Sequence, residues 1–348
     1  MLLMKVIEIK SDTKISKILI GEKLQNLRHY LPGAKAVIIT DPVVFGYYKD
    51  QFDGYPVIEI EPGEKNKTIK TLEYIFTKFL ELEVDRSTFV VAIGGGIVCD
   101  VSGFAASVFM RGLHFGFVST TLLSQVDASV GGKNGVNLHR YKNMIGVFNQ
   151  PDFVICDSEM LKTLDRKELI AGFAEIIKAG AIRSKNLFKY LEDNWQKALA
   201  LDPGIINHLV YESVLIKSRI VEADEKEKGE RRLLNFGHTF AHALEKNTDL
   251  LHGEAVSIGM ILASKLSEKL GFLQDHSRER IENLLKNIRL PLKIHIDAGH
   301  VLEAIKLDKK REGDSIHLIL LKKIGEAFIH KVKLNTLEDM INDMRGIF

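Results

Sequence analysis

A change of hydrophobic period part-way along the chain constrains the fold more than any other feature. Up to about Asp157, short β-branched and aromatic runs alternate with amphipathic helical stretches. Val37-Ile38-Ile39-Thr40, Val57-Ile58-Glu59-Ile60 and Phe89-Val90-Val91-Ala92-Ile93 are almost continuously apolar, as strands buried on both faces are, and helical patterns cover 68–82 and 100–109. The opening MLLMKVIEIKSD alternates like a further strand. Strands alternating with helices specify an α/β domain with a mainly parallel sheet. From Ser158 onward the period is helical: Leu169, Ile170, Phe173, Ile176 and Ile177 form one stripe, and 256–270 another. The expectation is an α/β domain over 1–157 and a mainly α-helical domain over 158–348, with the ligand in a cleft between them. Near the end, 317–321 and 327–332 predict a hairpin around Ile324-Gly325, and Asn335 with Glu338 predicts the cap of a last helix.

Composition narrows the function classes. The 348 residues are 45% hydrophobic, enough for two cores. A formal net charge of +2 argues against nucleic acid and acidic membranes as partners, while leaving room for a local basic cluster around a phosphorylated substrate. The two cysteines, Cys99 and Cys156, form neither a disulfide framework nor a Cys-x-x-Cys pair, which fits a reducing compartment. With no signal-peptide pattern and no apolar run of membrane length, the protein is expected to be soluble and cytoplasmic.

Chemistry concentrates in 224–254, DEKEKGERRLLNFGHTFAHALEKNTDLLHGE. His238 and His242 stand four residues apart, on one face of a helix, and His252 follows in a Leu-His-Gly-Glu turn before another apolar helix. Imidazoles converging with a carboxylate suit a zinc-type cation, and fewer than four protein ligands leave a position for substrate. Scattered surface or cap histidines would give the same spacing. Glu175 and Lys178 share a helix face among small residues. A surface ion pair is the ordinary outcome at that spacing, whereas close packing would bury both charges and demand a metal or substrate partner.

Other groups suit a phosphate or nucleotide. Gly94-Gly95-Gly96 ends an apolar run and opens a helix carrying Asp100. It either brings backbone N–H groups to a pyrophosphate at a helix N-terminus or makes a tight turn through glycine's backbone freedom. Thr40-Asp41 and Pro62-Gly63-Glu64 with Lys67 fall where strand ends present loops to a ligand. In Ser119-Thr120-Thr121 the hydroxyls either cap the next helix, the commoner single role, or meet a nucleotide. Beyond Asp127, glycines interleave with Lys133, Asn134, Lys142 and Asn143. Such backbone donors beside point charges favour a phosphate monoester over a plain solvated loop.

Taken in order, GGGIVCDVSGFAASVFMRG, STTLLSQVDASVGGKNGVN, KNMIGVFNQP, AGFAEIIKAG, DEKEKGERRLLNFGHTFAHALE and LHGEAVSIGM closely resemble the 3-dehydroquinate synthases, a family of sugar-phosphate cyclases. The blocks lie within 94–260, about half the chain, with weaker agreement at PGEKNK and DKKREG. The resemblance implies a Rossmann-like NAD-binding α/β domain, a helical metal-binding domain, a divalent cation such as zinc or cobalt, and a homodimer. It assigns the cation to Glu175, His238 and His252, and moves His242 into the substrate site, a split that spacing leaves open. Its substrate is a small phosphorylated sugar acid, 3-deoxy-arabino-heptulosonate 7-phosphate of the shikimate pathway. The implied course is transient oxidation at C5 by NAD+, β-elimination of phosphate, return of the hydride, ring opening and aldol closure onto C2. Lys133, Lys142, Asn143 and His242 would line the substrate site near the phosphate, with Arg111 reaching it from the partner subunit. Asp127, Lys178, Lys217, Arg231 and Asn235 would meet the hydroxyls and carboxylate, with Glu227 and Lys310 as weaker matches. Asp41, Glu64, Lys67, Gly95, Gly96, Asp100, Thr120 and Thr121 match NAD positions, with Lys133 and Lys142 also close to the cofactor.

Cys99, Ser119, Tyr141 and Ala241 depart from the family's usual glycine, proline, glycine and glycine. None removes a charged or ligating group, although Tyr141 and Ala241 add bulk. A sister cyclase acting on sedoheptulose 7-phosphate would not need the cluster of Lys217, Arg231 and Asn235. A polyol dehydrogenase would lack the phosphate set. A non-catalytic binding protein would be expected to have lost some of these polar groups.

Overall fold

The computed structural model describes residues 4–11, 14–33, 35–52, 54–139, 141–306, 311–344 and 347. Its two compact units are not contiguous halves: one is Met1–Asp165 with Ile206–Lys226, the other Arg166–Ile205 with Glu227–Phe348. The first contains β1 (Lys5–Lys10), β2 (Ile15–Ile20), β3 (Ala36–Thr40), α1 (Pro42–Tyr48), β4 (Val57–Glu59), α2 (Ile69–Glu81), β5 (Phe89–Gly94), α3 (Gly96–Val108), β6 (Phe115–Ser119), β7 (Lys133–Leu138), β8 (Tyr141–Phe148) and β9 (Phe153–Cys156). Seven strands form one sheet in the order β1-β2-β9-β6-β5-β3-β4. It is parallel from β2 to β4, with β1 added antiparallel at its edge. Every residue of β3, β5, β6 and β9 is buried, as their unbroken apolar runs require. The chain runs outward from β3 to β4 on one side and outward from β5 to β6 on the other, so the topological switch point lies between β3 and β5.

The glycine-lysine-asparagine stretch, to which the sequence reading gave no regular element, is an antiparallel hairpin of β7 and β8, separate from the main sheet. Phe153 on β9 stacks on Phe89 of β5 with ring centroids 5.6 Å apart and lies over Gly116 of β6. The intervening strand can lie beneath that ring only because it has no side chain there.

α4 (Arg166–Arg183) and α5 (Lys185–Leu199) open the second unit, and α6 (Pro203–Ala223) returns to the first from Ile206 onward. A single boundary at 157/158 is therefore corrected. Lys5 Nζ sits 4.1 Å from the Tyr211 ring centroid, and the Lys10 N–H donates to Glu222 Oε1 at 3.1 Å, so α6 belongs with the β1 edge. Helical periodicity marks α6 as a helix and is silent on which unit it covers. The second unit continues with α7 (His238–Glu245), α8 (His252–Lys269), α9 (Ser277–Ile288), α10 (Ala298–Lys306), β10 (Arg311–Glu312), β11 (Ser315–Lys323), β12 (Glu326–Lys333) and α11 (Leu334–Asp343). α8 is its central helix, buried almost all round and packed on α4, α7 and β11. The expected hairpin turns at Ile324-Gly325, with Gly325 at φ 91°. The expected Asn335 cap does not form. α11 starts directly from β12 with the extended Lys333 at its N-cap position, while Glu338 pairs with Lys306 at 3.1 Å. No described helix is long and apolar enough to cross a membrane.

Gly116→Ala should destabilise the first unit by about 1–3 kcal/mol, because the new methyl meets the Phe153 ring in a closed core. Denaturant titration followed by far-UV circular dichroism measures this, and an unchanged midpoint would contradict the packing described.

Candidate metal centre and its surroundings

Three helices of the second unit bring Glu175, His238 and His252 together. Glu175 lies mid-way along α4, His238 is the first residue of α7 and His252 the first of α8. Each offers a ligand atom, and these atoms lie within 4.8 Å of one another. Two glycines permit the convergence. Gly237 takes a left-handed φ of 78° as the N-cap of α7, turning His238 inward. Gly253 packs so tightly on the Ala171 carbonyl of α4 that a Cβ would have no room, which draws the start of α8 against α4.

Both imidazoles are oriented from behind. His238 Nδ1 meets the Phe236 carbonyl at 3.2 Å, and His252 Nδ1 meets Glu245 Oε1 at 3.1 Å. Their Nε2 atoms face Glu175 Oε1 at 3.7 and 3.5 Å. Lys178, one turn along α4 and equally buried, pairs with the other Glu175 oxygen. The pair expected by default at the surface is thus an interior one. Neither Glu175 oxygen completes an aligned hydrogen bond. Burial pushes the Glu175 carboxyl up, but Lys178 and His252 outweigh it and hold it at about 2. His252 is opposed by burial, yet Glu175 and Glu245 raise it to about 10. A buried carboxylate without aligned donors, facing two imidazole nitrogens, is a donor set that fits a divalent cation. His242 lies outside that set, with its ring centroid 5.7 Å from that of His238. Within the same unit Arg231 is buried, and Asn235 Nδ2 donates to Glu227 Oε1 at 2.7 Å. Lys310 lies outside the described residues.

In the first unit a second charged cluster sits beside the switch point. Buried Lys67 donates to Asp100 Oδ2 at 2.5 Å and to Asn143 Oδ1 at 2.6 Å. Burial raises the Asp100 carboxyl, with Lys67 opposing. Asn137 ties the hairpin to this cluster: its Oδ1 accepts from Asn143 N at 2.8 Å and its Nδ2 donates to Glu64 Oε1 at 2.8 Å. Asp41 caps α1, Oδ1 accepting from Val43 N and Val44 N at 2.9 and 3.0 Å. Thr121 Oγ1 accepts from Ser124 N at 3.1 Å, the capping role, and Thr120 N donates to the Gly94 carbonyl. Gly95 and Gly96 have ordinary φ values. A Cβ would meet Thr121 and Ala128 at 2.9 Å, so close approach of protein segments, rather than backbone freedom, calls for glycine there.

Lys217 Nζ donates to Asp127 Oδ1 at 2.7 Å. Lys133 and Lys142 are exposed on the hairpin. Arg111 is exposed too, and it follows Met110 in left-handed backbone at φ 70° and 49°, a conformation costing non-glycine residues about 1–3 kcal/mol each. Cys99 packs its sulfur 3.5 Å from Ser129 Oγ. Burial pushes its thiol up to about 12 and raises Cys156 as well, so neither is poised as a nucleophile. Sequence reasoning gave no role to Glu245 or Asn137. The polar spacing of His238, His242 and Glu245 on one helix face was a signal for the first. Nothing local marked the second.

The family models for the 3-dehydroquinate synthase N-terminal and C-terminal regions match residues 57–171 and 172–311. The 3-dehydroquinate synthase of Campylobacter concisus is 41% identical over 322 residues, covering 89% of this chain and 91% of that protein. The chain belongs to the 3-dehydroquinate synthase family. Two solved structures share its fold over nearly its whole length. One is 2-deoxy-scyllo-inosose synthase complexed with carbaglucose-6-phosphate, NAD+ and Co2+, at TM-score 0.88 and 25% identity, covering 97% of this chain and all of that one. The other is 2-epi-5-epi-valiolone synthase from Streptomyces hygroscopicus with NAD+ and Zn2+, at TM-score 0.88 and 26% identity, covering 98% and 99%.

For a member of this family the protonation of His252 has a measurable consequence. A cation held at His252 would take the neutral imidazole, so at about pH 7 its binding would expel the proton that Glu175 and Glu245 favour. Metal affinity of the metal-free 3-dehydroquinate synthase fold should therefore rise towards pH 10, by up to about tenfold per pH unit, with roughly one proton released per ion. Calorimetry in two buffers of different ionisation enthalpy checks this, and an affinity flat between about pH 7 and pH 9 would contradict it.

Proposed function

We propose that the protein converts 3-deoxy-arabino-heptulosonate 7-phosphate to 3-dehydroquinate and phosphate, as a NAD- and divalent-metal-dependent carbon–oxygen lyase of aromatic biosynthesis. The observation that carries this is the convergence of Glu175, His238 and His252 in a chain of this family. When bound, the nicotinamide supplies a reversible hydride acceptor for a secondary alcohol, and the zinc or cobalt ion supplies a Lewis acid for the same alcohol.

The remaining work is positioning and charge. Glu175, His238 and His252 would hold the cation through one carboxylate and two neutral imidazoles. Arg231 offers a planar fork suited to the substrate carboxylate. Asn235, Lys178 and the Lys217–Asp127 pair would meet hydroxyls and carboxylate from side chains already held by protein partners, so little side-chain freedom is lost on binding. Lys133, Lys142, Asn143 and His242 would surround the phosphate, which can itself take the C6 proton as it leaves. Asp41, Glu64, Lys67, Gly95, Gly96, Asp100, Thr120 and Thr121, at the strand ends near the switch point, would bind NAD+ along with Lys133 and Lys142. The ligand-bearing relatives named above support both cofactors.

The protein would work as a cytoplasmic homodimer in which Arg111 reaches the partner's phosphate site. Exposed Val108, Met110, Leu138, Tyr141, Met144 and Phe148 supply apolar surface for such an interface. Tyr141, where the family usually has glycine, lies on that exposed set.

Purified protein with NAD+ and zinc or cobalt should release inorganic phosphate from the heptulosonate phosphate. Silence on that substrate with turnover of sedoheptulose 7-phosphate would make it a sister cyclase. His252→Ala should lose metal in equilibrium dialysis, whereas His242→Ala should retain it and lose turnover by at least roughly a hundredfold, the scale of a lost acid–base or charge-stabilising group. Equal metal loss in both would show that the two histidines share one role.

A further inference from the structure

The three polar residues His238, His242 and Glu245 recur at i, i+4 and i+7 along the eight residues of α7, which places them on one face. The first and last both belong to the metal centre's geometry. Glu245 is almost fully buried, with 6% of its side chain exposed, and its Oε1 lies 3.1 Å from His252 Nδ1. It ends α7, where the helix dipole is negative, and burial removes the water that would solvate it. The imidazole at the start of α8 offsets both effects.

This makes the two imidazoles unequal. His238 is backed by the neutral Phe236 carbonyl, whereas His252 is backed by a carboxylate. A carboxylate behind an imidazole fixes the tautomer that presents Nε2 and increases the electron density that nitrogen offers a cation. The need for such a donor is local. Lys178 lies against Glu175, the one carboxylate of this donor set among the described residues, and draws off part of its charge. An anion one bond-shell further out returns that charge to the site without occupying a coordination position.

We infer that Glu245 is a positioning residue that sets the cation affinity of the centre through the outer nitrogen of His252. α7 thus serves the site twice, supplying His238 directly and clamping the first residue of α8. Because this rests on Glu175, His238 and His252 forming a metal centre, the test reads metal without substrate. Metal-free wild type, Glu245→Gln and Glu245→Ala are titrated with Co2+ against a chelator, following the visible absorption of the bound ion, with NAD+ affinity and melting temperature measured alongside. Glu245→Ala should weaken Co2+ binding by roughly 10- to 100-fold. Glu245→Gln, which keeps an acceptor oxygen and nearly the same shape, should lose less, and NAD+ affinity should hold in both. Wild-type Co2+ affinity in both variants overturns the inference. So does a loss of NAD+ affinity and melting temperature that matches the metal loss, since that marks a brace for the whole fold. A protein whose Co2+ binding depends on Glu245 but which releases no phosphate upholds the inference and removes the functional proposal alone.

Discussion

The second unit is built around a carboxylate taken out of water. Glu175 sits in the middle of α4, enclosed by α7 and α8, and an isolated ionised carboxylate in such a place would be strongly disfavoured. It stays ionised because a lysine one turn away and an imidazole from α8 outweigh the burial. Each of those groups is itself costly to bury, so the cluster survives only as a set. Helix packing follows from the same need. The Ala171 and Gly172 stretch of α4 is small where Gly253 presses on its backbone, and Gly237 bends left-handed to aim His238. The small residues flanking Glu175 are therefore the means by which three helices come close enough to share one charge.

The first unit solves a related problem with different parts. Its central strands are buried on both faces and so carry no polar chemistry along their length. Polar groups gather at the strand ends instead. Lys67, Asp100 and Asn143 form one hydrogen-bonded set, and Asn137 sews the β7–β8 hairpin onto the Glu64–Asn66 turn. Several side chains matched to a nucleotide also have structural work: Asp41 caps a helix and Thr121 caps a turn. Such groups are held in place by the protein's own backbone.

The outer partners of the two histidines carry a related lesson about charge. A neutral carbonyl and a carboxylate stand behind otherwise similar rings, and the carboxylate-backed His252 is raised to about 10. His252 stands between two carboxylates, its Nε2 towards Glu175 and its Nδ1 towards Glu245, so both anions favour the charged ring.

The amino-acid order alone determined the fold class, because the apolar period of a buried strand differs from that of a helix and both are written locally. It also carried the family resemblance, and with it the assignment of Glu175 beside two of the three histidines. Spacing could not choose among His238, His242 and His252, since two imidazoles one turn apart share a helix face whatever that face meets. Nor could periodicity tell that α6 would pack on the β1 edge, that the lysine-rich glycine stretch would pair into a hairpin, or that Asn335 would be passed over as a cap. Those outcomes depend on which surfaces meet across long separations in the chain. Only tertiary structure decided that Glu175 and Lys178 would be interior and that Glu245 would stand behind His252, because burial and the direction of a ring nitrogen are properties of packed neighbours rather than of sequence.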